Sequence, residues 1–207
     1  MHTVCLFKGL CNKDMAMYKT ANISCLILAA GSARRFGRAK LLYTLADGRS
    51  ILQTTLGIYT ELFDLVTVIC NDNTELIKQA HNMNAKVEVN PLSHMGMSES
   101  IKLGINITRP KLAWLIALAD MPYVEDGSIV QLCQLAERNK IIQPYVNATP
   151  GNPVLIGIDF LSDLLSLEGD VGAKSVLQSN NQSVVKVDLN DLGLTQDVDT
   201  PGDVKRQ

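Results

Sequence analysis

Neither sign of charge dominates this sequence, and its cysteines follow no pattern. Its 207 residues carry 19 Lys+Arg against 21 Asp+Glu, a formal net charge of −2. That balance argues against nucleic acid or an anionic membrane as partner, because both select excess positive charge, although it leaves room for a local basic pocket. The cysteines at 5, 11, 25, 70 and 133 contain no C-x-x-C pair and no Cys/His group at zinc spacing, so they read as reduced, mostly buried thiols. Long apolar runs are also missing. Cys25 to Ala30 and Ala113 to Ala119 reach about a third of the length a bilayer requires, and no membrane span is expected. His2, His81 and His94 lie scattered, with no Ser, Cys or Asp spaced as a catalytic triad. The first twenty residues lack the apolar run of a secretory signal, so the cytoplasm is the expected compartment.

What is present is enough for a core. Hydrophobic residues make up 46% and charged residues 19%, which favours folding over disorder without a disulfide or metal staple. Apolar runs of strand length alternate with segments of helical period, the pattern of an α/β fold with a parallel sheet. Strands are expected at 23–29, 65–70, 86–90, 113–119, 141–146 and 183–187. Helices are expected after Ser50, a candidate N-cap, and at 74–82, 98–107, 127–138, from about 159 and from about 172. No repeat or linker divides the chain. Residues 22–207 therefore read as a single domain, and 1–21 as an N-terminal extension expected to be poorly ordered, with Met15 and Met17 as alternative starts.

In open α/β sheets, ligands bind beyond the carboxyl ends of the strands. The unusual polar residues of this chain fall at such ends. Gly31-Ser-Ala-Arg-Arg-Phe-Gly37 and Arg38-Ala-Lys40 place two glycines and four cations directly after a buried strand. Glycine lets backbone N–H groups approach an anion, and Arg and Lys neutralise it. The loop reads as a phosphate cradle; a solvated basic turn is the alternative. It is neither a P-loop nor a G-x-G-x-x-G dinucleotide loop. Asp120 ends the apolar run ALA and precedes Met-Pro, where a fixed carboxylate suits a hard cation such as Mg²⁺ or caps the next turn.

At this point the residues resemble a family. LAAGSARRFGRAK at 28–40 resembles the opening signature of the cytidylyltransferases and guanylyltransferases that build dinucleotide forms of the molybdenum cofactor, within the NTP-transferase superfamily. GMSESIKLGI (96–105), LADMP (118–122), GNPVLI (151–156), GDVGAKSVL (169–177) and DVDTPGD (197–203) resemble later family segments in the same order. The resemblance implies a three-layer, Rossmann-like, mostly parallel sheet of the nucleotide-diphospho-sugar transferase type. It also implies Mg²⁺-dependent transfer of CMP from CTP to a molybdopterin-type acceptor. A recipient molybdoenzyme or its chaperone is a further implied partner. Within the group LAAG accompanies CTP and LAGG accompanies GTP, so Ala30 points to CTP.

The resemblance also assigns residues. Leu28, Ala29, Ala30, Gly31, Ser32, Arg35, Gly37, Lys40, Asn90, Gly96, Ser98, Ser100 and Asp120 would bind nucleotide. Arg35, Lys40 and Asp120 would act in catalysis, Asp120 and Asp199 would hold the metal, and Asn152, Asp170 and Lys174 would face the acceptor. Asp197 and Asp203 compete with Asp199, or cap the helix opened by Pro201. Ser98 and Ser100 read equally well as helix N-caps, and Asp170 as a turn former. Ala33, Asn152 and Lys174 depart from the family's Ser, His and Arg, and the last two bear on the acceptor more than on the nucleotide; the alternatives are GTP, another phosphorylated acceptor, or a non-catalytic cofactor carrier.

Overall fold

A computed structural model of the chain describes residues 20–31 and 40–204. The expected N-terminal extension, apart from its last two residues, and the loop positions Ser32, Arg35 and Gly37 lie outside the described residues. Strand β1 (Ile23–Ala29) runs parallel to β2 (Val66–Cys70) on one side and to β4 (Ala113–Leu118) on the other; β3 (Lys86–Val89) extends the β2 side. Beyond β4 the sheet turns mixed. β7 (Val154–Gly157) is antiparallel to β4 and to β5 (Ile141–Val146), and β8 (Val184–Asp188) is parallel to β5. With β6 (Thr149–Pro150) the sheet has eight strands, mostly parallel, as expected.

Both faces of the central strands are apolar, so alternation along them feeds two cores. Cys25, Ile27 and Ala29 of β1, with Ala113, Leu115 and Ala117 of β4, face one core. Leu26 and Leu28, with Trp114 and Ile116, face the other. The first core is covered by α1 (Ile51–Thr60), α2 (Thr74–Asn82) and α4 (Asp126–Gln134). The second is covered by α3 (Met97–Ile107), α5 (Leu161–Leu165) and α6 (Lys174–Ser179). The result is three layers, helix–sheet–helix. Full burial of each Leu or Ile stabilises the fold by roughly 1.5–3 kcal/mol. Ser50 is an N-cap, as its residue type suggests: its hydroxyl accepts the Gln53 N–H, and the Gln53 side chain accepts the Ser50 N–H, a full capping box.

Where boundaries differ from expectation, a competing bond explains it. Helix α4 ends at Gln134 and not near Arg138, because the 138–140 backbone pairs elsewhere: Arg138 O accepts the Asp159 N–H (3.0 Å) and Lys140 O accepts the Gly157 N–H (2.9 Å). Gly157 has no room for a Cβ against the Arg138 and Glu137 carbonyls. Helix α6 opens at Lys174 because Gly172, at φ 57°, lies in the left-handed region. After β5, Asn147 and Ala148 at φ 48° and 63° make a two-residue reverse turn into β6.

The register then slips. Tyr145 faces Pro150 whereas Ile142 faces Leu155, so four residues lie opposite two. The excess forms a bulge at Gly151–Pro153, docked through Gly151 N–H to Pro144 O and Asn152 N–H to Leu194 O, both 2.8 Å. Among the described residues no helix is long and apolar enough to cross a membrane.

Candidate active site

The chain reverses its direction of travel across the sheet at β1. From β1 it moves outward to β2 and β3, then returns to place β4 against the other edge of β1. Since β1 and β4 are parallel, the loops after Ala29 and Leu118 leave from the same sheet end and open a crevice there. Three segments bring charge to it. Lys40 begins a short 3₁₀ turn (Lys40–Leu42) whose next residue, Leu41, is buried and anchors it. Asp120 lies two residues past β4. Asp197 and Asp199 flank Val198, whose side chain is fully buried and whose N–H donates to the Asp120 carbonyl at 2.9 Å. That single backbone bond, with Val198 pulled inward, sets carboxylates on either side of it near Asp120.

The geometry is tight. Lys40 Nζ donates to Asp120 Oδ2 at 2.7 Å and to Asp199 Oδ1 at 2.9 Å. Its side chain is 13% exposed, against 21% for Asp120 and 44% for Asp199. Carboxylate oxygens of Asp120, Asp197 and Asp199 all lie within 4.8 Å of one another. Partial burial pulls the Lys40 ammonium down, but the hydrogen bonds and charges of Asp120 and Asp199 outweigh it, and its pKa is raised. Asp197 is raised too, first by desolvation and then by repulsion from Asp199 and Asp120. Among the described residues, one ammonium thus faces three carboxylates. Asp120 Oδ1 is buried and, among the described residues, has no hydrogen-bond partner.

Asp203 belongs elsewhere. Its Oδ2 accepts from the N–H groups of Asp199 (3.0 Å) and Thr200 (2.6 Å) and from the Thr200 hydroxyl (3.0 Å), and these bonds hold its pKa down. It caps the turn Pro201–Asp203 as a capping-box residue. Of the three tail carboxylates, Asp197 and Asp199 enter the cluster, and Asp203 fixes the backbone that carries Asp199.

A second group of expected residues assembles around the start of α3. Asn90, 4% exposed, donates from Nδ2 to Ser100 Oγ at 3.0 Å and accepts the Leu92 N–H at 2.9 Å, closing the turn after β3. Ser98 and Ser100 are buried, and neither is the N-cap. That position belongs to Gly96 at φ 118°. The first helical donors are capped by a distant segment: Met97 N–H donates to Asp170 Oδ1 (3.1 Å) and Ser98 N–H to Gly169 O (3.2 Å). A Cβ at Gly96 would lie 2.5 Å from that same carbonyl, and one at Gly172 would lie 2.9 Å from Met97 Sδ. Asp170 is therefore a cap in trans as well as a turn residue.

The remaining expectations fall in place less directly. Leu28 and Ala29 are core side chains, so only their backbone faces the crevice; Ala30 is half-buried and Gly31 exposed. Asn152 lies in the bulge bonded to Leu194, and Lys174 opens α6. Asp191 was not singled out from the sequence. Only 3% exposed, it accepts the N–H groups of Glu125 (2.9 Å) and Gly193 (2.8 Å) and so pins the tail against the chain leaving Asp120. Its Asp-x-Gly spacing was the available signal, a short side chain bonding its own backbone two residues on.

Clustered hard oxygens, one of them buried and unpartnered among the described residues, suit Mg²⁺ or Mn²⁺. The model of the MobA-like NTP transferase domain matches residues 25–184. The chain belongs to that family. Among solved structures, this MobA-like domain is similar to Mth528, a nucleotidyl transferase from Methanothermobacter thermautotrophicus, at 19% identity and TM-score 0.75, covering 87% of this chain and 93% of that one. It is also similar to Rv0371c of Mycobacterium tuberculosis H37Rv in complex with manganese, at 20% identity and TM-score 0.70, covering 88% and 96%. A third is the 4-diphosphocytidyl-2C-methyl-D-erythritol synthase of Anaerococcus prevotii, at 15% identity and TM-score 0.69, covering 91% and 95%. At these identities the likeness is one of fold. No match is found among curated proteins.

Proposed function

We propose that this MobA-like domain is a Mg²⁺-dependent cytidylyltransferase that moves CMP from CTP onto the phosphate of molybdopterin, with or without its molybdenum, yielding the cytosine dinucleotide cofactor and pyrophosphate. The observation that carries the reading is the Lys40–Asp120–Asp199 cluster at the carboxyl ends of β1 and β4, with Asp120 Oδ1 unpartnered among the described residues. In the reaction an oxygen of the acceptor phosphate attacks the α-phosphorus. The bond from that phosphorus to the α–β bridging oxygen breaks, and pyrophosphate leaves with the electron pair. No covalent enzyme intermediate is needed, so alignment and stabilisation of negative charge do the work.

The roles divide by position. Backbone N–H groups of 31–37, with Arg35, take the β- and γ-phosphates, and Lys40 turns to the α-phosphate or the departing oxygen. Asp120 and Asp199 hold Mg²⁺, with Asp197 beside them; bound there, the ion supplies neutralisation of charge on the phosphate oxygens. Asn90 and the turn to Ser100 shape the base and ribose pocket, and Ala30 favours the smaller pyrimidine. Asn152, Asp170 and Lys174 border the acceptor.

Incubating the pure protein with Mg²⁺, CTP and molybdenum-loaded molybdopterin should release pyrophosphate. Release with GTP alone reassigns the nucleotide. Because Asn152 and Lys174 depart from the family's residues, the same assay with sugar and alcohol phosphates tests a second acceptor class. No release with any pair, together with tight binding of the finished dinucleotide, turns the reading to a carrier.

A further inference from the structure

The cluster already contains a cation of its own. Lys40 Nζ occupies Asp120 Oδ2 at 2.7 Å and Asp199 Oδ1 at 2.9 Å, two of the oxygens a divalent ion would take. The lysine is largely buried, and Leu41 pins its backbone in the core. An ammonium and a divalent ion on the same two oxygens would sit within a few ångströms and repel. One must yield. A triphosphate offers the lysine a denser negative partner than two shared carboxylates do.

We infer that Lys40 is a resident counter-cation that excludes divalent metal from Asp120 and Asp199 until nucleotide draws the ammonium away, so that metal loading is conditional on nucleotide. The inference rests on the reading of these two aspartates as the metal ligands. Without nucleotide, the ammonium neutralises part of the carboxylate repulsion and holds the tail at Asp199 against the sheet. With nucleotide, the amine exchanges carboxylate for phosphate and vacates the oxygens. Because binding free energies are reciprocal, whatever factor Lys40 removes from metal affinity in the free protein returns as coupling between metal and nucleotide.

The test measures Mn²⁺ binding to nucleotide-free protein by electron paramagnetic resonance of the unbound ion. Lys40→Gln and Lys40→Met should bind Mn²⁺ at least about tenfold more tightly than wild type, Lys40→Arg should not, and adding Asp199→Asn to Lys40→Gln should abolish the gain. A measurement on unaltered protein removes dependence on the variants' folding: in ¹³Cε-lysine-labelled wild type, Mg²⁺ alone should leave the Lys40 resonance in place and CTP should move it, whereas displacement by Mg²⁺ alone would overturn the inference. If wild type binds metal with CTP in an Asp120-dependent way, yet Lys40→Gln binds Mn²⁺ no better without it, the inference is overturned and the metal reading stands. If no protein binds metal at Asp120 with or without CTP, both fall.

Discussion

Two junctions at the same end of the sheet are built on opposite terms. At α3, Gly96 and Gly169 meet backbone to backbone, and the first two helical donors are satisfied by Asp170 and the Gly169 carbonyl. At Lys40, one ammonium is shared between two carboxylates, a third carboxylate has a raised pKa, and Asp120 Oδ1 has no partner among the described residues. The first junction has its backbone donors matched and little room to move, although the Ser98 hydroxyl is buried without a partner among the described residues; the second, among the described residues, gathers three carboxylates about one ammonium. Satisfied contacts fix a frame, and unsatisfied ones mark where the chemistry exchanges partners.

That contrast predicts which measurement each substitution disturbs. Asp120→Asn should cut pyrophosphate release by about 10³-fold while leaving the urea midpoint nearly unchanged, since it removes transition-state charge stabilisation more than packing; a large loss of stability instead would make Asp120 part of the frame. Gly96→Ala should do the reverse. A methyl forced against the Gly169 carbonyl at φ 118° costs about 3 kcal/mol, read from urea unfolding. Asp170→Ala loses a trans cap and should lower stability by about 1 kcal/mol, with Asp170→Asn retaining part of it.

The smallest effect is at Asp203. Its folded-state pKa lies below the ordinary 3.8, so the stability it contributes is fully present above that value and is lost as pH falls through the folded pKa. Melting temperatures between about pH 5 and pH 2 should therefore fall less steeply in Asp203→Asn than in wild type.

Much of this was legible in the sequence, for physical reasons. ISCLILA and AWLIALA read as strands buried on both faces, and the rule that ligands bind beyond the carboxyl ends of such strands singled out Gly31, Lys40 and Asp120; the structure supplies the parallel pairing that brings them to one end of the sheet. Thr74–Asn82 matched to the residue because Asn73 caps it and its apolar stripe is regular. The mixed half of the sheet was harder. Its bulge at Gly151–Pro153, the left-handed Gly172 and the early end of α4 depend on partners far along the chain that no local pattern reveals.

The site divides the same way. Residue types and the family resemblance pointed to Lys40, Asp120 and Asp199. Sorting Asp197 from Asp203 required the Val198 bond to Asp120 and the cap at Thr200, and the trans cap by Asp170 required the contact of two segments some seventy residues apart.

The most direct measurement is calorimetric titration of CTP into wild-type and Asp120→Asn protein, each with and without Mg²⁺. If a triphosphate and a divalent ion meet at this cluster, wild type should bind CTP at least about tenfold more tightly with Mg²⁺, and Asp120→Asn should show no such gain. Equal affinity in all four titrations, or an undiminished Mg²⁺ gain in the variant, would contradict it.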